Sequence, residues 1–138
     1  MVIYLDFDGT LVEHEYPKIG RCNFGCIEVV KRLQDAGHEV ILNTYRADCA
    51  NGTLEKAIDW LCDAWMVSKS RELDLLPIKA TDKRINPDSW DWLRMLKDEV
   101  MYIDDMALNI PLKRCCMIES FMVDWDELDK EFIEHKIY

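Results

Sequence analysis

The sequence predicts an α/β fold in which a mainly parallel, Rossmann-like sheet lies between two layers of helices. Short apolar segments alternate along the chain with longer segments whose apolar residues recur every three or four positions. This alternation is typical of strand–helix–strand units with parallel strands and right-handed crossovers. The length of 138 residues suits one domain with its own hydrophobic core. We therefore expect a single α/β/α sandwich over residues 1–138.

The strands are predicted from short apolar segments that end in polar residues. The first is the run from Val2 to Asp6, and the second is Glu39–Asn43. A third strand is less sharply defined and lies within residues 74–79. Val100–Ile103 and residues 114–118 complete the predicted set.

The helices are predicted from apolar residues at helical spacing and from their capping residues. Gly37 is expected to end the first helix, Thr53 to cap the start of the second, and Pro87 to lie in the first turn of the third. In the third helix, Trp90 and Leu93 are expected to face inward. The last helix is expected to pack its apolar stripe on the core. The predicted helices cover residues 24–36, 53–64, 87–97 and 124–135.

Composition and charge narrow the class of protein. The net charge of -10 argues against broad, non-specific binding to nucleic acid, although it does not exclude a local basic rim. No apolar run is long enough for a membrane span, and the N-terminus lacks the pattern of a signal peptide. The six cysteines lack the spacing of a zinc site, so we expect reduced thiols and a cytoplasmic protein.

Polar side chains follow each of the first four predicted strands. Asp6 and Asp8 end the first strand, Thr44–Arg46 follow the second, Thr81–Lys83 the third, and Asp104–Asp105 the fourth. In open α/β sheets, ligands bind beyond the carboxyl ends of the strands. The four segments are therefore expected to meet in one site.

The pair formed by Asp6 and Asp8 suggests the chemistry of that site. Residues two apart on a strand point to the same side, and two like charges so placed repel unless a cation or a shared proton lies between them. Carboxylate oxygens suit Mg²⁺. A magnesium-dependent phosphoryl-transfer site is the hypothesis that follows.

The motifs resemble those of the haloacid dehalogenase (HAD) superfamily over residues 1 to about 111. The first motif is Asp6-Phe7-Asp8-Gly9-Thr10, the second is Thr44, the third is Lys83, and the fourth is Ile103-Asp104-Asp105. Neither the stretch from Leu11 to Asn23 nor that from Ala47 to Asp82 leaves room for a folded cap. The chain is similar to small, capless phosphatase-like members of that superfamily, and its site is expected to be open.

The resemblance implies a role for each carboxylate. Asp6 would be the nucleophile that forms an aspartyl-phosphate, and Asp8 would protonate the leaving oxygen and then activate water. Asp104, Asp105 or both would complete the Mg²⁺ shell together with Asp6 and the carbonyl of Asp8. An aspartate at position 8 implies phosphomonoester chemistry, because a halide leaving group needs no proton.

The same resemblance assigns the phosphate-binding groups. Thr44 and the backbone N–H of Tyr45 would bind a phosphoryl oxygen, and Lys83 would neutralise both the nucleophile and the phosphoryl group. Lys79 is the alternative to Lys83, which we prefer because it lies past the apolar strand. Arg46 would either contact substrate or brace its loop.

The expected function is therefore that of a Mg²⁺-dependent phosphomonoester hydrolase. Its substrate would be a nucleotide, a sugar phosphate or a larger phosphorylated molecule. An open site also allows a homo-oligomer in which a neighbouring subunit supplies the lid. The alternatives are a nucleic-acid end phosphatase, transfer of the phosphoryl group to an acceptor other than water, and a catalytically idle module that binds a phosphorylated partner.

Overall fold

The computed structural model describes residues 1–71, 74–115 and 120–138. In these residues, four parallel strands form the central sheet, and helices flank it. The predicted α/β fold with a parallel sheet is confirmed. The strands are β1 (Val2–Leu5), β2 (Glu39–Leu42), β3 (Lys79–Ala80) and β4 (Val100–Ile103). Their spatial order is β3-β2-β1-β4.

One face of this sheet is fully buried because alternate side chains of three strands lie in register. Ile3 of β1 pairs with Val40 of β2 and with Met101 of β4. Leu5, two residues later, pairs in the same way with Leu42 and Ile103. On the opposite face, the ring of Tyr4 stacks on that of Tyr102, with 4.9 Å between the ring centroids. The buried face consists of Ile3, Leu5, Val40, Leu42, Met101 and Ile103.

The flanking helices include two that match the prediction closely. The first predicted helix appears as α1 (Cys26–Asp35), and its end at Gly37 is confirmed. The Gly37 N–H donates to the Gln34 carbonyl, and the His38 N–H donates to the Leu33 carbonyl. No helix in the described part of the chain is long and apolar enough to cross a membrane. The helices are α1 (Cys26–Asp35), α2 (Arg46–Cys49), α3 (Thr53–Ser70), α4 (Trp92–Met95) and α5 (Trp125–Glu134).

The predicted C-terminal helix is α5, and it packs on the core. The Asp124 carboxylate caps its first turn by accepting a hydrogen bond from the Glu127 N–H. An ion pair between Arg32 and Asp129 joins α5 to α1 at 2.6 Å. The residues that α5 buries are Trp125, Leu128 and Phe132.

The helix α3 differs from the prediction at both ends. Gly52 is its N-cap, and Thr53 is its first helical residue, so the predicted cap was wrong by one position. The N–H and the hydroxyl of Thr53 both donate to the Asn51 side-chain oxygen, which takes the capping role. The helix then continues to Ser70, beyond the predicted end at residue 64. The short helix α2 was not predicted.

The third strand is shorter and later than predicted. Leu76, within the predicted segment, bonds to a side chain of α1 instead of a strand: its N–H donates to the Gln34 side-chain oxygen, and its carbonyl accepts from the Gln34 side-chain nitrogen. Pro77 has no N–H to donate to a ladder. Pairing with β2 therefore begins only at Lys79.

The helix predicted over residues 87–97 is reduced to the single turn of α4. Its N-cap is Asp91, whose carboxylate accepts a hydrogen bond from the Leu93 N–H. The expected inward position of Leu93 was wrong, since this side chain is exposed and Trp92 is buried instead. Trp90 precedes the turn and packs edge-on against the ring of Tyr102.

A two-stranded antiparallel hairpin follows the central sheet. It consists of β5 (Leu112–Arg114) and β6 (Phe121–Val123), and the sequence did not predict β6. Of the strand predicted over residues 114–118, Arg114 ends β5, and residues 116–118 lie outside the described residues. The Val123 N–H donates to the Gly9 carbonyl at 2.9 Å, which ties the hairpin to the turn after β1.

Candidate active site

The parallel register of the sheet brings the ends of β1 and β4 together. Leu5 pairs with Ile103, and the Asp6 N–H then donates to the Ile103 carbonyl at 2.9 Å. Asp6 and Asp104 are the next residues of their strands. The sequence prediction that these segments meet at one edge of the sheet therefore agrees with the structure.

Three carboxylates form a compact cluster at this edge. One oxygen from each of Asp6, Asp104 and Asp105 lies within 4.8 Å of the other two. Burial, and then the charges of Asp104 and Asp105, raise the pKa of Asp6 well above its usual value. Burial and the charge of Asp104 raise the pKa of Asp105 to about 6. This electrostatic strain is the kind that a bound cation relieves.

Gly9 allows the cluster to approach the turn after β1. Its φ of +75° lies in the left-handed region, and a Cβ at this position would be 2.5 Å from Oδ2 of Asp105. Both the backbone conformation and the space therefore favour glycine. The turn itself is held by hydrogen bonds from the N–H groups of Thr10 and Leu11 to the Phe7 carbonyl.

Asp8 lies beside the cluster, but its carboxylate is paired with Arg46. Nε of Arg46 donates to Oδ2 of Asp8 and Nη2 donates to Oδ1, both at 2.7 Å. This is a two-point charge-assisted pair in which the guanidinium fork matches the carboxylate. Both oxygens of Asp8 are therefore engaged in this structure.

Arg46 braces the loops around the site from a fully buried position. Its terminal nitrogens donate to the carbonyls of Pro17, Lys18 and Thr53. Its guanidinium also lies over the rings of Phe7 and Tyr16, at 5.0 and 5.2 Å from their centroids. Of the two roles that the sequence left open for Arg46, these contacts favour bracing.

Thr44 and Tyr45 lie at the end of β2, where they line the site cavity. The Thr44 side chain is buried, and its oxygen accepts a hydrogen bond from the Arg46 N–H at 3.2 Å. Because the oxygen is the acceptor, the hydroxyl hydrogen remains available for a ligand. The Tyr45 side chain is 59% exposed, at the rim.

Among the described residues, Arg84 is the cation that bonds to the carboxylate cluster. Nη2 of Arg84 donates to Oδ2 of Asp104 at 2.6 Å, whereas Lys83 is exposed and Lys79 lies within β3. Two hydrogen bonds of 2.7 Å between the Asn43 side chain and the backbone of Ile85 fix the neighbouring segment. The preference for Lys83 over Lys79 stays a prediction, and the contact with Asp104 makes Arg84 a further candidate for the same role.

Sequence reasoning missed Arg84 although it adjoins the predicted lysine. The basic run after the third strand was the available signal, but a sequence pattern does not show which of two adjacent cations points inward. Nε of Arg84 is buried and has no hydrogen-bond partner among the described residues. The guanidinium also lies 5.5 Å from the ring centroid of Trp90, which limits its movement.

The cavity above the cluster has a volume of about 300 Å³ and an aromatic rim. The sequence suggests a place at the rim for His14 without a catalytic role, and it does not single out Tyr16 or Met106; all three line the cavity. The Tyr16 hydroxyl accepts a hydrogen bond from the Asn51 side chain, which fixes one side of the rim. The lining residues are Asp6, Asp8, His14, Tyr16, Thr44, Tyr45, Arg84, Asp105 and Met106.

Comparison with known proteins identifies a relative among solved structures. No family model matches the sequence, and no curated protein matches it. The solved structure of a conserved protein from Bacteroides thetaiotaomicron is 31% identical, with a TM-score of 0.58; the match covers 99% of this chain and 91% of that chain. The chain belongs to the same family as this Bacteroides protein.

Proposed function

We propose that this protein is a Mg²⁺-dependent phosphomonoester hydrolase of the HAD type that acts through a phosphorylated Asp6. The observation that carries the proposal is the cluster of Asp6, Asp104 and Asp105 at the carboxyl edge of the sheet. The cluster and its neighbour Arg84 supply a buried carboxylate for nucleophilic attack, two further carboxylates for a metal ion and a cation for the phosphoryl charge, which are groups used in phosphoryl transfer through an aspartyl-phosphate.

The cluster fits a divalent cation by its donor set. Three carboxylate oxygens within 4.8 Å of one another are hard, anionic ligands, which Mg²⁺ prefers. Burial, and then the charges of neighbouring carboxylates, raise the pKa values of Asp6 and Asp105, and a bound cation would favour the ionised form of both. Bound Mg²⁺ would supply charge neutralisation for the phosphoryl oxygens. Arg84 already pairs with Asp104, so we expect Asp6 and Asp105 to be the freer ligands.

In the proposed reaction, Asp6 is the nucleophile. A carboxylate oxygen of Asp6 donates an electron pair to phosphorus, and the bond from phosphorus to the leaving oxygen breaks with its electrons on that oxygen. The product is an acyl phosphate on Asp6. The Thr10 hydroxyl lies 3.5 Å from Oδ2 of Asp6 and would orient the carboxylate during this step.

Asp8 is the proposed acid and base. It would give a proton to the leaving oxygen and later take one from the water that attacks phosphorus, releasing inorganic phosphate and restoring Asp6. Both Asp8 oxygens bond to Arg46 before substrate binds. One of these bonds must therefore be exchanged for a bond to substrate or water in each cycle.

Thr44 and Arg84 are the proposed phosphate-binding groups. The free hydroxyl hydrogen of Thr44 would donate to a phosphoryl oxygen, with help from the backbone of Tyr45. Arg84 takes the charge-neutralising role that sequence reasoning gave to Lys83, because its guanidinium borders the cavity and its Nε has a hydrogen still to donate.

The substrate class follows from the cavity and the charge. A volume of about 300 Å³ suits a nucleotide or a sugar phosphate, and an open rim also accepts a phosphate on a larger molecule. The net charge of -10 disfavours nucleic-acid ends without excluding them. We further propose a cytoplasmic location, in keeping with the free thiols at five described cysteines.

A second candidate is a catalytically idle module that binds a phosphorylated partner. The two-point bond of Arg46 to Asp8 favours it, because an engaged Asp8 is not positioned to transfer a proton. The same scaffold would then use Thr44 and Arg84 for binding alone. Turnover distinguishes the two candidates.

The test is phosphate release from a panel of phosphomonoesters with and without Mg²⁺. The panel contains p-nitrophenyl phosphate, nucleotides, sugar phosphates and phosphorylated oligonucleotide ends. The wild type is compared with Asp6→Asn and with the matched control Asp59→Asn, an exposed aspartate of α3. The proposal predicts Mg²⁺-dependent release in the wild type and in the control, and loss in Asp6→Asn. Phosphate binding without turnover on any substrate would favour the idle module.

A further inference from the structure

Two cysteine thiols lie in contact at the start of α1, and neither residue lines the site cavity. The sulfur atoms of Cys22 and Cys26 are 3.8 Å apart. Cys22 is exposed at the end of the loop that follows β1, and Cys26 is the buried first residue of α1. One accessible sulfur and one protected sulfur therefore face each other.

The two thiols differ in how readily they ionise. A hydrogen bond from Cys26, against an opposing effect of burial, lowers the pKa of Cys22 to about 7. The same hydrogen bond, together with burial, raises the pKa of Cys26. Since the thiolate is the reactive form, Cys22 is the nucleophile of the pair at neutral pH, and Cys26 is the second thiol that acts after it.

The turn between the two cysteines is firmly anchored. The Asn23 N–H donates to the Leu11 carbonyl, and the Asn23 side-chain nitrogen donates to the carbonyls of Thr10 and Val123 at 2.8 and 2.7 Å. The Cys26 thiol also contacts the Leu11 carbonyl. These bonds keep the two sulfurs adjacent, and a disulfide length of about 2.05 Å requires them to approach by only about 1.8 Å.

We propose that Cys22 and Cys26 form a reversible intramolecular disulfide by exchange with a low-molecular-weight disulfide such as oxidised glutathione. The Cys22 thiolate attacks one sulfur of that disulfide, whose bond breaks and releases one thiolate. The Cys26 thiol then loses its proton and attacks the Cys22 sulfur, releasing the second thiolate. The two cysteines lose two electrons and two protons, and the external disulfide is reduced to two thiols.

The test follows the thiols directly and does not depend on enzyme activity. The protein is equilibrated in glutathione buffers of increasing oxidation, quenched with iodoacetamide and digested with trypsin. Both cysteines lie in the peptide between Arg21 and Lys31, whereas Cys62, an exposed thiol of α3, lies in another peptide and serves as the internal control. We expect the first peptide to lose both iodoacetamide labels as it oxidises and to have the mass of the unlabelled dithiol peptide less two hydrogens, without a glutathione adduct, and dithiothreitol to reverse the change.

Two variants test the order of events. In Cys26→Ser, we expect a glutathione adduct to accumulate on Cys22, because no second thiol resolves it; in Cys22→Ser, we expect Cys26 to remain reduced. At pH 7, iodoacetamide should alkylate Cys22 several-fold faster than Cys62. The proposal is overturned if wild-type Cys22 keeps the glutathione adduct as it does in Cys26→Ser. It is also overturned if both cysteines remain thiols in buffers in which Cys62 forms a glutathione adduct.

Discussion

Arg46 holds both carboxylate oxygens of Asp8 through hydrogen bonds of 2.7 Å from its Nε and Nη2. This pair joins the turn after β1 to the start of α2. Since the Arg46 side chain is buried, its charge depends on Asp8 for compensation. The pair therefore links the stability of the protein to the position of its proposed acid and base.

The first prediction concerns the cost of breaking this pair. Arg46→Met leaves the Asp8 carboxylate without its partner and removes the bonds to three loop carbonyls, so we expect a loss of about 3–5 kcal/mol in the free energy of unfolding. Urea denaturation measures it. The double variant Asp8→Asn with Arg46→Met is the control, and it should lose less than the sum of the two single variants. Additive losses would contradict an energetically coupled pair.

The second prediction separates Arg84 from Lys83. Arg84→Met removes the cation beside Asp104 and should lower kcat/KM for phosphate release by about 100-fold or more. Lys83→Met, the matched control one residue earlier, should leave kcat/KM within about twofold of the wild type, because its side chain is exposed. The reverse ranking would restore Lys83 as the motif cation.

The sequence predicts which residues lie at the site but not how their side chains pair. The sequence predicts that the carboxyl ends of parallel strands meet at one edge, and the structure brings Asp6, Asp8, Thr44, Asp104 and Asp105 together there. The roles of these residues stay predictions. The side-chain pairing of Asp8 with Arg46 was not predicted. Such pairing depends on how a buried guanidinium fills space between loops, and no periodic pattern in the sequence records that arrangement.

The sequence likewise predicts the elements of the fold that depend on local patterns, and it fails where tertiary contacts decide the structure. β1, β2, β4, α1 and α5 follow from apolar periodicity and capping. The third strand shifted because the Gln34 side chain engages the backbone of Leu76. The helix predicted over residues 87–97 is shorter in the structure. Asp91 caps a helix that begins only at Trp92, and Trp90 packs against Tyr102 of the sheet. The error in the strand arises from a contact between residues that are distant in sequence. The error in the helix arises from a local cap that competes with the helical pattern.

The third prediction tests the close approach of Asp105 to the turn after β1. Gly9→Ala places a Cβ at 2.5 Å from Oδ2 of Asp105 and should displace that carboxylate, weakening Mg²⁺ binding measured by calorimetry. Gly37→Ala is the matched control, since Gly37 also has a positive φ, of +90°, but has nothing within 4 Å of the added atom. We expect Gly37→Ala to cost about 1–2 kcal/mol of stability and to leave Mg²⁺ binding intact. Equal Mg²⁺ affinity in the two variants would contradict the role of Asp105.

The fourth prediction concerns pH in the absence of divalent cations. The pKa of Asp105 is about 6 in the folded protein, against 3.8 for the unperturbed group. The folded state therefore keeps a proton that the unfolded state has already lost, and stability falls as the pH rises from about 4 to about 6. The raised pKa of Asp6 adds a fall of the same sign, so Asp105→Asn should remove the part due to Asp105 and reduce, without abolishing, the part due to Asp6. It should stabilise the metal-free protein at pH 7 by on the order of 2 kcal/mol.

Thermal unfolding across this pH range measures the effect, with Asp98→Asn as a control at an exposed aspartate. Addition of Mg²⁺ at pH 7 should raise Tm in the wild type and in Asp98→Asn, and should raise it less in Asp105→Asn. A pH dependence that is the same in all three proteins would show that Asp105 is not the strained group.

The central claim is that Asp6 carries the phosphoryl group, and trapping the phosphorylated protein tests it most directly. The protein is mixed with Mg²⁺ and its best substrate, quenched in acid, digested with pepsin at low pH and analysed by mass spectrometry. Peptides that contain Asp6 should gain one phosphoryl group in the wild type. Asp8→Asn should accumulate more of the adduct, because its hydrolysis is slowed, and Asp6→Asn should carry none. Phosphate release that persists in Asp6→Asn, with no adduct in any of the three proteins, would contradict the account.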